Sequence, residues 1–315
     1  MLNLGIVVPC LNEEEALPQT NKKLISMLNN LVSSGKISPL SQIYYIDDGS
    51  SDNTWEIIEN LSTSNNNQIR GLKLSRNFGH QNALIAGLFN ADGDALISLD
   101  ADLQDDIKAV ETMIDKYLEG FDIVYGVRSK RNTDSTFKRV SANLFYSLMD
   151  ILGTKIIKNH ADFRLLSRKS IEQLKNFREV SLFLRGIVPL IGSNATIVYY
   201  NRDSRYKGKS KYSLKKMLNF AIDGITSFSV APLRVVTLTG LIIFLISVVM
   251  SFYVLFLWFF TGRTLPGWSS IVLPMYFLGG IQVLFLGIMG EYLGKIYQEV
   301  KNRPRFIIEK HSPKL

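Results

Sequence analysis

Two stretches of this chain carry no charged residue: Val235 to Phe260, which is 26 residues, and Thr264 to Gly290, which contains the apolar core Ile271 to Met289. Each is long enough for the roughly 20 apolar residues that a membrane-spanning helix needs. The competing arrangement, a helix buried in a soluble core, rarely runs so far without a charge. Between the two lies Thr261-Gly262-Arg263-Thr264-Leu265-Pro266-Gly267-Trp268, short, rich in turn formers and ending on an interfacial Trp. The pattern predicts a transmembrane hairpin, with spans at about 235–260 and 270–290, whose ends lie on one side. Arg234 precedes it and Lys295, Lys301, Arg303 and Arg305 follow it, against Arg263 alone in the connector. That asymmetry places both chain ends in the cytoplasm. The N-terminus agrees, because Met1 to Cys10 has no basic region and meets Glu13-Glu14-Glu15 too early for a signal peptide.

Charge divides the chain in the same direction. Residues 1–127 hold 8 Lys+Arg against 18 Asp+Glu, and residues 128–315 hold 28 against 10, so the formal net charge of +8 conceals two opposite halves. A basic half beside apolar spans suits an anionic membrane surface or a lipid phosphate better than nucleic acid. The lone Cys10 forms no intrachain disulfide and reads as a small buried residue in a reducing compartment.

Residues 1 to about 125 alternate short apolar runs with helix-length segments. Leu4 to Val8, Ile43 to Ile46, Gly71 to Leu74, Ala95 to Leu99 and Ile123 to Tyr125 read as strands, and Ala16 to Leu31 as an amphipathic helix. This order predicts an α/β domain with a mainly parallel sheet. Ligands of such sheets bind beyond the carboxyl ends of the strands. The polar clusters fall there: Pro9 to Glu15, Asp47-Asp48-Gly49-Ser50, Arg76 to Gln81, and Asp100-Ala101-Asp102-Leu103-Gln104-Asp105.

The aspartate run has the most direct chemistry. Asp100 and Asp102 follow a strand at a spacing of two, so they project from one side of its end. Two carboxylates, the amide oxygen of Gln104 and no neighbouring His or Cys favour Mg²⁺ or Mn²⁺ over zinc, typically as a clamp on a diphosphate. A solvated loop after a buried strand is the alternative, and Asp105 at the end of the run reads as a helix cap. Competing nucleotide motifs fail. No G-x-G-x-x-G follows the first strand, and Gly208-Lys209-Ser210 has Asp203 where a P-loop requires glycine.

Taken in order, Val8-Pro9-Cys10-Leu11-Asn12-Glu13-Glu14, Ile46-Asp47-Asp48-Gly49-Ser50-Ser51-Asp52, Arg76-Asn77-Phe78-Gly79-His80-Gln81 and the aspartate run resemble the successive motifs of family 2 glycosyltransferases with a GT-A fold. The resemblance is nearest to the polyisoprenyl-phosphate glycosyltransferase branch, which includes dolichol-phosphate mannose synthase and the bactoprenol glucosyltransferases, and extends into the two-helix tail. It implies a Rossmann-like GT-A domain over residues 1–205, a basic loop and interfacial amphipathic helix over 206–231, the two spans within 232–294, and a cytoplasmic basic tail over 295–315. Pro9, Asn12, Glu13 and Asp47 would line the nucleobase and ribose pocket, with Arg76 and His80 on the donor side. Asp100 would lie near ribose or ion, and Asp102 and Gln104 would hold the metal. A helix cap is the alternative for Asn12, and stabilisation of the Gln81 to Leu88 helix the alternative for His80.

The basic half would take the second substrate. Arg128, Arg131, Arg202, Arg205 and Lys211 are the candidates for a lipid phosphate, because guanidinium and ammonium groups beside a bilayer can bind a phosphate protruding from the headgroup layer. From Leu214 to Phe228 apolar residues recur at three and four, with Lys215 and Lys216 among them, as in a helix lying on the bilayer surface. Asp162 would orient the acceptor or take a residual proton; a salt bridge with Arg164 is the alternative.

The expected reaction is inverting transfer of a single sugar, glucose from UDP-glucose, to undecaprenyl phosphate at the bacterial inner membrane, with catalytic roles for Asp102, Asp162 and Arg128. A processive polysaccharide synthase and a non-catalytic nucleotide-sugar binding protein are the competing readings. The first lacks Q-x-x-R-W, and retention of the aspartate run argues against the second. Arg305 to Ile308 is a possible strand that could pair between subunits.

Overall fold

In the computed structural model, the described residues are 1–64, 68–129, 160–180, 184–201, 231–261 and 268–313. They fall into two compact units: Met1–Ile151 with Lys155–Ser213 and Arg303–Leu315, and Leu152–Thr154 with Leu214–Asn302.

The first unit is built on eight strands, β1 (Leu4–Cys10), β2 (Gln42–Asp47), β3 (Ile69–Leu74), β4 (Ala95–Ser98), β5 (Ile123–Arg128), β6 (His160–Ser167), β7 (Ala195–Tyr200) and β8 (Ile308–Ser312), in the order β7-β5-β6-β4-β1-β2-β3-β8. Pairings β1–β2, β1–β4, β2–β3 and β5–β7 are parallel, whereas β4–β6, β5–β6 and β3–β8 are antiparallel. The sheet is therefore mixed. All five predicted strands form, each within a few residues of its expected bounds; the three added strands come from the basic half.

Among the described residues, six helices accompany this sheet: α1 (Leu17–Ser33), α2 (Thr54–Ser64), α3 (His80–Asn90), α4 (Ala109–Leu118), α5 (Arg168–Lys175) and α6 (Leu184–Leu190). In α1, Leu17, Leu24, Leu28 and Leu31 recur at helical spacing and are buried in one cluster with Leu4, Ile6 and Val8 of β1. Each such side chain withdrawn from water contributes about 1.5–3 kcal/mol. The other face of β1 takes α3, whose Gly87 lies so near that a Cβ there would stand 2.3 Å from Val7 Cγ1. Ser167 starts α5 by accepting the Ser170 N–H on its hydroxyl at 3.1 Å, an ordinary N-cap.

Beyond β2 the chain turns at Gly49, where φ is +69° and an added Cβ would stand 2.4 Å from the Arg76 carbonyl carbon. Both the backbone conformation and the close approach of two loops require glycine. Gly49→Ala is expected to lower stability by about 2–4 kcal/mol, read as a fall in the thermal unfolding midpoint.

The tail behaves differently from expectation. The strand is Ile308–Ser312 rather than Arg305 to Ile308, and it pairs with β3 of its own chain, Leu74 opposite Ile308 and Gly71 opposite Ser312. Ser75 N–H also donates to Ile307 O at 2.9 Å. The edge of β3 is thus covered within the chain.

The second unit contains α7 (Ala231–Thr261, 31 residues) and α8 (Trp268–Val300, 33 residues), which contact each other. Large apolar side chains such as Leu241, Leu245, Phe252, Phe277, Val283 and Leu286 are exposed on them. Among the described residues, Phe277–Val300 is long and apolar enough to cross a membrane. The expected interfacial helix from Leu214 to Phe228 lies outside the described residues.

Candidate active site

The parallel strands bring the ends of β1, β2, β3, β4, β5 and β7 to one edge of the sheet, and the antiparallel β6 begins there. The register opposes Ser98 to Arg164, so Asp100, two residues past Ser98, is placed across from Asp162, two residues before Arg164. Every described polar cluster singled out in the sequence lies along this edge.

The β1 and β2 loops are knitted together. Asn12 has φ of 55° and its Oδ1 accepts from Ser51 N at 2.9 Å, while its own N–H donates to Ser50 Oγ at 3.0 Å. Glu13 N–H donates to Thr54 Oγ1 at 2.8 Å. Pro9 is buried in the β1–β2 pair, opposite Ile46. Asp47 is fully buried; its Oδ1 accepts from Ser50 N at 3.3 Å, while Oδ2 is buried with no hydrogen-bond partner among the described residues. Burial raises its pKa, opposed by the Ser50 hydrogen bonds and Lys73. A buried carboxylate oxygen left unpaired is costly unless a ligand donates to it.

Asp48, which the sequence placed only within the polar cluster after β2, anchors the third loop. Its carboxylate accepts Phe78 N at 2.7 Å and Gly79 N at 3.0 Å. This holds Arg76 and the start of α3 beside the β2 end. Arg76 is exposed, its guanidinium 4.2 Å from the centroid of the Phe78 ring.

At the end of β4, His80 Nε2 lies 3.6 Å from Asp100 Oδ1 and 3.7 Å from Asp162 Oδ2. Loss of surrounding water pushes Asp100 up to about 6, with His80 opposing and Asp105, Asp162 and Asp102 reinforcing. Burial would raise Asp162 also, but Arg185 and Arg164 overcome it and hold its carboxyl well below the usual carboxylate range. Arg164 Nη2 donates to Asp162 Oδ1 at 2.6 Å, and Arg185 Nη2 to Oδ2 at 3.1 Å. The salt bridge is therefore observed, and a carboxylate so firmly ionised is a poor proton acceptor at neutral pH.

Asp102 accepts Gln104 N at 3.3 Å and Gln104 Nε2 at 2.8 Å. Gln104 is buried, and its Nε2 contact orients Asp102. Asp105 is not a helix cap, since α4 begins at Ala109. Its buried carboxylate instead accepts Tyr200 Oη at 2.6 Å and Arg128 Nη2 at 3.3 Å. Arg128 also donates through Nε to Tyr200 Oη at 3.2 Å, so its side chain is fixed at the joined ends of β5 and β7. Arg131, Arg202, Arg205 and Lys211 lie outside the described residues.

The donor set fits a hard divalent cation. Asp100 and Asp102 offer only oxygen, and among the described residues no three His, Cys, Asp or Glu side chains form a ready-made cage. Mg²⁺ and Mn²⁺ suit a site of one or two carboxylates completed by substrate phosphate.

Arg185 and Tyr200 were not singled out by chemistry in the sequence. Arg185 sits in the apolar run Leu184-Arg185-Gly186-Ile187-Val188, and an isolated arginine in a short helix gives no motif. Tyr200 ends a strand whose signal is a plain aromatic and β-branched run.

The family model for "Glycosyl transferase family 2" matches residues 5–175, more than half of the chain. The chain belongs to this family. Its similarity to curated relatives runs almost end to end. It is 49% identical to an uncharacterised glycosyltransferase of Bacillus subtilis over 97% of this chain and 91% of that one. It is 40% identical to the SfII prophage-derived bactoprenol glucosyl transferase of Shigella flexneri over 98% of each chain. A prophage bactoprenol glucosyl transferase homologue of Escherichia coli K12 is 39% identical over 98% of this chain and 99% of that one. As a family 2 glycosyltransferase, the chain carries its motif loops on the mixed, Rossmann-like sheet of the GT-A fold.

Proposed function

We propose that this family 2 glycosyltransferase transfers one glucose from UDP-glucose to the phosphate of undecaprenyl phosphate, with inversion, giving a lipid-linked sugar donor for cell-envelope glycosylation. The observation that carries this reading is the 40% identity over 98% of both chains to a bactoprenol glucosyl transferase, through α7 and α8 as well as the sheet. The site supports it. Asp47, whose buried Oδ2 has no hydrogen-bond partner among the described residues, is suited to accept from a nucleobase N–H or a ribose hydroxyl, and Asn12, Glu13 and Pro9 would line the same pocket. Asp100 and Asp102 would hold Mg²⁺ or Mn²⁺, whose chemistry there is to neutralise the donor diphosphate as it departs.

A phosphate monoester has its second pKa near about 6, so the acceptor oxygen is largely anionic at neutral pH and needs no strong base. It attacks the anomeric carbon as the bond from that carbon to the diphosphate oxygen breaks, and UDP leaves. The protein's task is to hold two anions together, which Arg128, Arg131, Arg202, Arg205 and Lys211 would do on the acceptor side and Arg76 and His80 on the donor side. Asp162, ionised and clamped, orients rather than carries a proton. In this reading α7 and α8 form a hairpin across the bacterial inner membrane, with the catalytic unit and both termini cytoplasmic.

A panel of UDP-glucose, UDP-N-acetylglucosamine and GDP-mannose with undecaprenyl phosphate tests the donor. UDP-glucose is expected to give the highest kcat/KM, and faster turnover with either competitor would reassign the sugar. For the acceptor, Arg202→Ala or Lys211→Ala is expected to raise the apparent KM for lipid phosphate about tenfold while changing that for UDP-glucose little. An effect confined to the donor would reverse the assignment.

A further inference from the structure

Arg185 has no task in the reaction above, yet it makes the fuller contact to Asp162. We propose that Arg185 is a positioning residue that acts through Asp162: with Arg164 it clamps the carboxylate from two sides and so fixes His80 against Asp100 at the end of β4. The proposal rests on the reaction just described.

The two arginines act differently. Arg164 is fully buried and reaches a single oxygen, Nη2 to Oδ1 at 2.6 Å, while its Nη1 donates to Leu184 O at 3.3 Å. One contact sets a distance but leaves the carboxylate free to rotate. Arg185 reaches both oxygens, Nε to Oδ1 at 3.4 Å and Nη2 to Oδ2 at 3.1 Å. A planar fork on a planar carboxylate fixes its rotation as well. Oδ2 is also the oxygen that faces His80 Nε2, at 3.7 Å.

The backbone carrying Arg185 is placed by the same cluster. Leu184 N–H donates to Gln81 Oε1 at 3.0 Å, and Gln81 follows His80. The residue before Arg185 is therefore tied on one side to the start of α3 and on the other to Arg164. His80 itself is 46% exposed, so packing does not hold it, and its orientation depends on the two carboxylates it faces. Without the fork, Asp162 keeps a charge partner in Arg164 and loses its fixed plane. The loss should appear in the chemical step, where orientation matters, more than in donor binding.

The test is a double-mutant cycle on the full-length, detergent-solubilised protein with UDP-glucose and undecaprenyl phosphate. Arg185→Met is expected to lower kcat about tenfold with the KM for UDP-glucose changed less than about threefold. Arg185→Lys keeps charge without the fork and should fall between Arg185→Met and the unaltered protein. In a His80→Ala background, Arg185→Met should cost less than about twofold further, since the two act in series. Multiplying losses would put Arg185 on the substrate itself, and an unchanged kcat in Arg185→Met would remove it from the site; either overturns the proposal. Should Arg185→Met not fold, Arg185→Lys carries the same cycle.

Hydrogen exchange of the substrate-free protein supplies a reading that needs no turnover. Faster exchange at Asn82 and Ala83, the first bonded amides of α3, is expected in Arg185→Met, and unchanged exchange there would count against the clamp. If the unaltered protein makes no glycolipid, the proposed sugar transfer falls, and the exchange comparison still decides the role of Arg185.

Discussion

Replacing Asp102 by Asn is expected to lower kcat by about 10³-fold, equivalent to about 4 kcal/mol of transition-state stabilisation, while leaving the fold intact. The substitution preserves shape: the Asn oxygen can still accept from the Gln104 backbone N–H, and reversal of the Gln104 side-chain amide lets its oxygen accept from the Asn NH₂, so the loop conformation, with Leu103 at φ of 44°, can be kept. What disappears is a negative charge on the side of β4 where the donor diphosphate would be clamped. Removing one carboxylate from a cluster that also contains Asp100, Asp105 and Asp162 relieves repulsion, so the unfolding midpoint should hold or rise. Turnover measured across a titration of MgCl₂ or MnCl₂, beside a thermal melt, checks both parts. Full metal-dependent activity in Asp102→Asn would contradict the assignment.

The second large effect is on stability. Asp162→Ala leaves the Arg164 guanidinium buried without its carboxylate, and breaking a buried pair by removing one partner costs about 3–5 kcal/mol. Arg185, 30% exposed, can turn toward water; Arg164, 1% exposed, cannot. The pH dependence has a definite sign. Because the folded-state pKa of Asp162 is depressed, its contribution is fully present above the ordinary carboxylate pKa and is lost as pH falls through the lower folded value. The stability gap between the unaltered protein and Asp162→Ala should thus stay constant from neutral pH down to the ordinary carboxylate range and narrow only below it. Chemical denaturation of the detergent-solubilised protein at several pH values measures this gap. A gap that closes near neutral pH would show that Asp162 is not held ionised by its arginines.

Much of the sheet was legible because its first five strands are short apolar runs that end in polar loops, and the sheet topology brings those ends to one edge. Asp47, Asp100 and Asp102 could be placed together at one candidate site since each follows or ends a strand whose carboxyl end lies at that edge. The antiparallel β6 was harder to read. Its strand His-Ala-Asp-Phe-Arg-Leu-Leu-Ser puts a buried Arg164 in the interior, where alternation alone suggests a surface loop, and only the pairing with Asp162 makes that burial tolerable. Asp105 looked like a cap because Asp commonly starts helices; its partners, Arg128 and Tyr200, are 23 and 95 residues away. The same distance in sequence hid Arg185, which meets Asp162 only through the packing of α6 on β6. The tail strand was placed early by a few residues, and its partner is an edge of the chain's own sheet.

Single-sugar transfer to a lipid phosphate is read out by mass detection of the product. Purified protein incubated with UDP-glucose, undecaprenyl phosphate and MgCl₂ is expected to yield one new lipid, undecaprenyl phosphate carrying a single hexose, in step with UDP release. A polymer, or UDP-glucose bound without any glycosylated lipid under a range of metals, would contradict it.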